Sequence, residues 1–246
     1  IYTGEDTLSL HDALPISKDK RLRSSILVES STTTLVIDTT PDFRYQMLRN
    51  NVTKLDAVLF THPHKDHIAG MDDIRAYNYF QNQAMNVYAN ELTQQALRKE
   101  FSYVFSESKY PGVPEVKLID VHMEPFMVGD IPVIPFIVWH LKMPVVAFRF
   151  GDFTYITDAN RIDDAEKQII KGSKTIVLNA LRHEKHISHF NLEEAVSLVK
   201  ELDIPEAYFT HISHQLGKYK DISPILPPGI HLAYDELQLI FSPNTV

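Results

Sequence analysis

The chain has 246 residues, 44% of them hydrophobic and 23% charged, with a formal net charge of −8 and no cysteine. That is enough chain for one domain with a real core. The composition excludes disulfides and thiolate metal ligands, and it argues against the basic stripe of a nucleic-acid surface. No apolar run approaches the ~18 residues of a membrane span.

Residues 1–17, IYTGEDTLSLHDALPIS, lack the basic start and apolar stretch of a secretory signal. They read instead as a translated sequencing adapter: CAC GAC GCT CTT CCG ATC encodes His11-Asp12-Ala13-Leu14-Pro15-Ile16. Residues 18–246 are then expected to form a single domain.

From residue 24 the pattern alternates between strands and helices. SSILVES (24–30) and TTLVID (33–38) predict a hairpin, and DFRYQMLRN (42–50) a short helix. DAVLF (56–60) predicts a buried strand. A helix is expected over 67–80, where Ile68, Met71, Ile74 and Tyr77 recur every three residues, with Tyr77, Tyr79 and Phe80 as core or pocket wall. A strand at 85–89, a helix at 91–101 and a loop or lid at 102–115 follow. Further strands are expected at 116–121, 131–138, 145–150, 153–157, 175–179, 206–210 and 237–241, with helices at 162–171 and 191–202. Strands interleaved with helices, and hairpins in both halves, predict an α+β chain built as a four-layer α/β/β/α sandwich.

The chemistry concentrates in FTHPHKDHIAG (60–70), directly after the strand at 56–60. His62, His64, Asp66 and His67 fall within six positions, where imidazoles and a carboxylate would repel as cations or lose hydration. A multivalent metal relieves both problems. A mononuclear zinc site needs only three protein ligands plus water, so four candidates point to two ions. Further ligands are expected at strand ends, where a sheet holds them rigidly. His140 closes IPVIPFIVWH, Asp158 follows FTYIT and His211 follows EAYFT. Asp38 ends its strand and is a candidate to orient a ligand imidazole, whereas Asp42 reads equally well as a helix cap. His183 and His186 read as loop or supporting residues, and His122 and His231 as solvated.

The run T-H-x-H-x-D-H at 61–67 resembles the signature of the metallo-β-lactamase superfamily, and His140, Asp158 and His211 fall in the order that family expects. The resemblance extends over residues 22–241 in element order. It implies that His62, His64 and His140 bind one divalent ion, that Asp66, His67 and His211 bind a second, and that Asp158 bridges them. Zn or Mn suits such ligands. YFTHISHQL (208–216) and SHFNLEEAVSL (188–198) resemble the phosphodiesterase branch, which includes phosphoribosyl 1,2-cyclic phosphate phosphodiesterases and is sister to the tRNA 3′-processing endonucleases. That likeness implies catalytic roles for His189, Asp66 and His214, with His189 contacting phosphate. The branch's opening glycine-rich strand–loop and cysteine-containing zinc site have no counterpart, so the N-terminal strand region is expected to be missing.

The implied activity is hydrolysis of a small cyclic or nucleotide-like phosphodiester by hydroxide held between two metals. Alternatives are a tRNA 3′ endonuclease, a thioester or lactone hydrolase, and a phosphate-binding module without catalysis. The expected partner is a small phosphodiester substrate rather than a membrane or a nucleic acid, with a homodimer left open. Without a targeting signal, the default location is the cytoplasm.

Overall fold

The computed structural model describes residues 18–108 and 110–242, so the adapter expectation for residues 1–17 lies outside the described residues. Two sheets form. The first has five strands in the order β1 (Ile26–Glu29), β2 (Thr34–Ile37), β3 (Ala57–Leu59), β4 (Met85–Ala89) and β5 (Val116–Asp120). The second has seven: β6 (Phe126–Val128), β7 (Ile131–His140), β8 (Met143–Phe150), β9 (Phe153–Tyr155), β10 (Thr175–Asn179), β11 (Glu206–Thr210) and β12 (Ile230–Leu232), each beside the next.

Strand side chains alternate between faces, and this alternation builds the layers. In β2, Leu35 and Ile37 enter the core between the sheets, while Val36 enters a core under helices α1 (Phe43–Arg49), α3 (Arg75–Gln81) and α4 (Glu91–Glu100). In β3, Ala57 and Leu59 face the other sheet and Val58 faces the helices. β8 repeats the rule from the second sheet. Val146, Phe148 and Phe150 face inwards, and Val145 and Ala147 face the core beneath α5 (Asp164–Ile170) and α6 (Leu192–Glu201). Three apolar cores therefore separate four layers, and the α/β/β/α sandwich is the observed architecture. Among the described residues, no helix is long and apolar enough to cross a membrane.

Three local expectations need correction. The helix expected over 67–80 is split into α2 (Lys65–Ile68), a 3₁₀ turn (Met71–Ile74) and α3. Gly70 lies at the break, and a Cβ there would sit 2.2 Å from the Thr40 carbonyl oxygen and 2.7 Å from the Phe43 Cβ. The motif is thus pressed against the chain after β2, and the Gly70 N–H donates to the Thr39 carbonyl at 2.8 Å. Gly70→Ala is expected to lower stability by about 1–3 kcal/mol, because packed backbone cannot yield cheaply. A fall in the urea midpoint would register it. Secondly, residues 237–241 form no strand, and β12 takes the sheet edge beyond β11. Leu239 and Phe241 instead pack as loop side chains against the inter-sheet core. Thirdly, Tyr77 is buried, but Tyr79 and Phe80 are exposed, so neither forms a wall.

β2 and β3 are parallel, as are β9, β10 and β11. β7 pairs antiparallel with β8, and β8 antiparallel with β9, so β7 runs the same way as β9. The C-terminal ends of these strands carry every residue expected to hold metal.

Candidate metal centre

The segment after β3 enters the site through Thr61 and His62, both fully buried. The Val146 N–H donates to the Thr61 carbonyl at 2.9 Å, which ties the motif to the opposite sheet. Asp38, directly after β2, lies beneath it. Its carboxylate accepts from the Thr61 N–H at 2.9 Å, the Thr61 hydroxyl at 2.8 Å and the His67 Nδ1–H at 2.7 Å. Since Thr61 spends its proton on Asp38, His62 Nδ1, 2.9 Å from the Thr61 Oγ1, must carry a hydrogen and donate. His140 Nδ1 donates to the Ser188 carbonyl at 2.7 Å. Each of these three rings therefore has its Nε2 free of a proton in the neutral form, available to a cation.

The free atoms converge. His62 Nε2 lies 3.1 Å from His64 Nδ1 and 3.5 Å from Asp158 Oδ2. The other oxygen of Asp158, Oδ1, lies 3.4 Å from His67 Nε2 and 3.2 Å from His211 Nε2. Asp66 Oδ2 is 3.6 Å from His211 Nε2 and 3.7 Å from His67 Nε2. Among the described residues three groups of ligand atoms arise: His62, His64 and Asp158; Asp66, His67 and His211; and His140, Asp158 and His189. Asp158 thus stands between two expected ligand sets with one oxygen towards each. His140 stands near His62 and His64, with ring centroids 5.9 and 5.1 Å away, but its ligand atom groups with Asp158 and His189.

A cation fits these donors. Among the described residues His67 Nε2 is buried without a hydrogen-bond partner, an arrangement costly unless something else fills the place. Two nitrogens bound tetrahedrally at about 2.0–2.1 Å would stand roughly 3.3 Å apart, close to the 3.1 Å between His62 and His64. Burial holds His62 and His64 below the ordinary imidazole range, so both favour the neutral form that binds metal. Burial opposes charge on His67 and His211 as well, but neighbouring carboxylates, Asp38 and Asp158 for His67 and Asp158 and Asp66 for His211, win and raise both. Burial also opposes charge on Asp158, yet His211 and His67 hold its carboxyl well below the usual range. The clusters suggest divalent-metal binding. Asp38, His62, His67 and Asp158 form a buried floor, while His64, Asp66, His140 and His211 form a more open rim.

The backbone is bent to deliver these groups. Asp38, Asp158 and His211 all have left-handed φ angles, 65°, 54° and 52°. Non-glycine residues rarely adopt that conformation, and where they do it often accompanies function. Asn179 braces the Asp158 turn from β10: its side chain accepts from the Ala159 N–H at 2.7 Å and donates to the Ala159 carbonyl at 2.9 Å.

His189 sits at the end of the His-rich loop, just before the Asn191–Glu194 capping box of α6. Its ring stacks on His211 with centroids 5.0 Å apart and lies 4.5 Å from the His140 ring. Burial pulls its pKa down to about 3, and its buried Nδ1 has no hydrogen-bond partner among the described residues. His186 adjoins it, with ring centroids 5.1 Å apart. His214 is exposed in a short 3₁₀ turn and belongs to none of the three ligand groups. Asp42 makes no side-chain cap to α1; its carboxylate takes the Arg23 N–H instead. Sequence reasoning missed Thr61, Asn179 and the Ser188 carbonyl. Thr61 opens the T-H-x-H-x-D-H run but was given no role there, Asn179 is a polar strand-end residue without a distinguishing spacing, and the third is backbone.

A family model described as a beta-lactamase superfamily domain matches residues 33–212. A crystal structure of a new diphosphatase from the PhnP family superposes with a TM-score of 0.85 at 37% identity, covering 94% of this chain and 88% of that one. A curated Porphyromonas gingivalis protein named octanoyltransferase is 36% identical over 225 residues, covering 90% of this chain but 45% of its own length. The exodeoxyribonuclease YycJ of Bacillus anthracis is 29% identical over 136 residues, covering 53% of this chain and 46% of its own. The chain thus spans a little under half the length of the curated relatives it matches.

Proposed function

The chain belongs to the beta-lactamase superfamily, and from that premise we propose that it is a dinuclear metal-dependent hydrolase of a small phosphodiester. The observation that carries this reading is the division of Asp158, one oxygen towards His62 and the other towards His67 and His211. His62, His64 and His140 would hold one divalent ion, Zn or Mn, and Asp66, His67 and His211 the other. Such ions supply an activated water and neutralise charge on a phosphate oxygen.

The protein's own groups do the rest. Asp38 fixes the His67 ring directly and the His62 ring through Thr61. The buried floor excludes bulk water, and the rim admits substrate from the side of His64 and Asp66. His189, neutral and stacked beside His211, can donate a ring N–H to a phosphate oxygen and so hold the substrate. Asp66 helps orient the reacting group, and His214, at the surface, assists only if substrate reaches it. The diphosphatase at 37% identity supports hydrolysis at phosphorus. The name octanoyltransferase belongs to a protein of which less than half is shared, so acyl transfer is a control reaction here.

Elemental analysis of purified protein, beside a panel of bis(p-nitrophenyl) phosphate, a cyclic phosphodiester, precursor tRNA and an octanoyl thioester, tests the reading. Bound divalent metal with turnover of the first two supports it; turnover confined to the thioester or to tRNA rejects it. His189→Ala is expected to lower phosphodiester kcat by about 10²–10³-fold, the loss of one hydrogen-bond donor, with metal content retained. Full metal loss instead would make His189 a ligand, in line with its grouping with His140 and Asp158. Removal of metal by a chelator should lower the melting temperature, because a ligand that binds only the folded state stabilises it.

A further inference from the structure

We infer that Arg23 is a specificity-determining residue that selects substrates with a second phosphoryl group next to the scissile one. The inference rests on the phosphodiesterase reading for the reaction, but not for the binding it predicts.

The segment around Arg23 is held on both sides of the site. The Arg21 side chain donates to the Ala233 carbonyl at 2.7 Å, and the Leu22 N–H to Asp235 at 3.1 Å. The Arg23 N–H donates to Asp42 at 2.9 Å, and its carbonyl accepts from Gln46 at 2.9 Å. The Ser24 and Thr210 hydroxyls lie 3.2 Å apart, one residue before His211, and Ser25 donates to the Asp38 carbonyl at 3.0 Å. Both sheets thus grip this backbone at the mouth of the cluster.

The side chain has no comparable use. The Arg23 guanidinium is half exposed, its Nη1 stands 3.9 Å from Asp66 Oδ2, and it makes no hydrogen bond among the described residues. Asp66 faces His67 and His211 at shorter range. A carboxylate shared with a divalent ion is a poor counterion for a guanidinium as well. Two divalent ions bring four positive charges against the carboxylates of Asp38, Asp66 and Asp158, and Arg23 adds another. A lone phosphodiester carries one negative charge, whereas a diphosphate ester carries a second that a guanidinium beside Asp66 can neutralise. Arginine's planar fork binds phosphate oxygens bidentately, and a pre-positioned backbone lowers the ordering cost of doing so.

The test uses the metal-loaded full chain and two probes, methylphosphonate and methylenediphosphonate, with binding followed by titration calorimetry. The wild type is expected to favour the diphosphonate. Arg23→Met should weaken diphosphonate binding by about 10- to 100-fold and move methylphosphonate by less than about threefold, with Arg23→Lys between. Metal content and melting temperature, measured alongside, should not change. Equal weakening of both probes, no weakening of either, or loss of metal in both variants overturns the assignment. If Arg23 governs diphosphonate affinity while no phosphodiester is turned over, the reaction is misread and the anion site stands. If bis(p-nitrophenyl) phosphate is turned over but affinity ignores Arg23, the reverse holds.

Discussion

His64→Ala is expected to reduce turnover of a phosphodiester by at least about 10³-fold, the scale lost when electrostatic stabilisation at a reacting centre is removed. The choice among the histidines matters. His62 is fully buried, so truncating it would open a cavity and confuse folding with chemistry. His64 is exposed on the rim, and among the described residues its ring nitrogen lies 3.1 Å from His62 Nε2. Its removal should leave the metal-free protein as stable as the wild type while metal content falls. Parallel measurement of kcat, bound metal and the melting temperature after chelation separates these effects. Unchanged turnover with unchanged metal would remove His64 from the site, and with it the proposed dinuclear arrangement.

The second large effect is expected at Asp38, which touches no proposed substrate atom. Asp38→Ala would strip acceptors from the Thr61 N–H, the Thr61 hydroxyl and the His67 Nδ1–H, all buried. An unsatisfied buried donor costs about 1–3 kcal/mol, so the urea midpoint should fall clearly. Metal affinity should fall by about 10- to 100-fold, as for other partners of ligating histidines. Asp38→Asn separates the two roles. Asparagine tolerates the left-handed backbone that Asp38 adopts at φ 65°. Its carbonyl can keep the Thr61 N–H, leaving the amide N–H₂ towards His67. His67 would then accept at Nδ1 and carry its proton on Nε2, the wrong tautomer for a cation. The asparagine variant should therefore lose metal nearly as severely as alanine while losing less stability. Wild-type metal affinity in that variant would show that the tautomer is fixed elsewhere.

Much of this site was legible in the residues because its chemistry is local. Four candidate ligands within 62–67, and three more at strand ends, could be found from spacing and the strand pattern, and the family resemblance then ranked them. The layers were legible for a similar reason, since Leu35, Val36 and Ile37 alternate between two cores. The break within 67–80 had a signal too: apolar residues every three positions fit a 3₁₀ turn better than a 3.6-residue period, and Gly70 supplies the interruption. Residues 237–241 misled because LQLIF is apolar enough for a strand, whereas edge pairing beyond β11 fell to the shorter IHL of β12. The role of Thr61 against Asp38, the support at Asn179 and the place of Arg23 depend on contacts across long stretches of chain.

The left-handed turns at Asp38, Asp158 and His211 carry a consequence for descent. Glycine meets no steric penalty in that region of backbone space, and a β-branched side chain is strongly disfavoured there. A lineage that still needed these three side chains would have to resist the easiest substitution its backbone offers. A copy released from that demand could drift to glycine at 38, 158 and 211, so glycines there would be the fossil of a retired enzyme, readable before any assay.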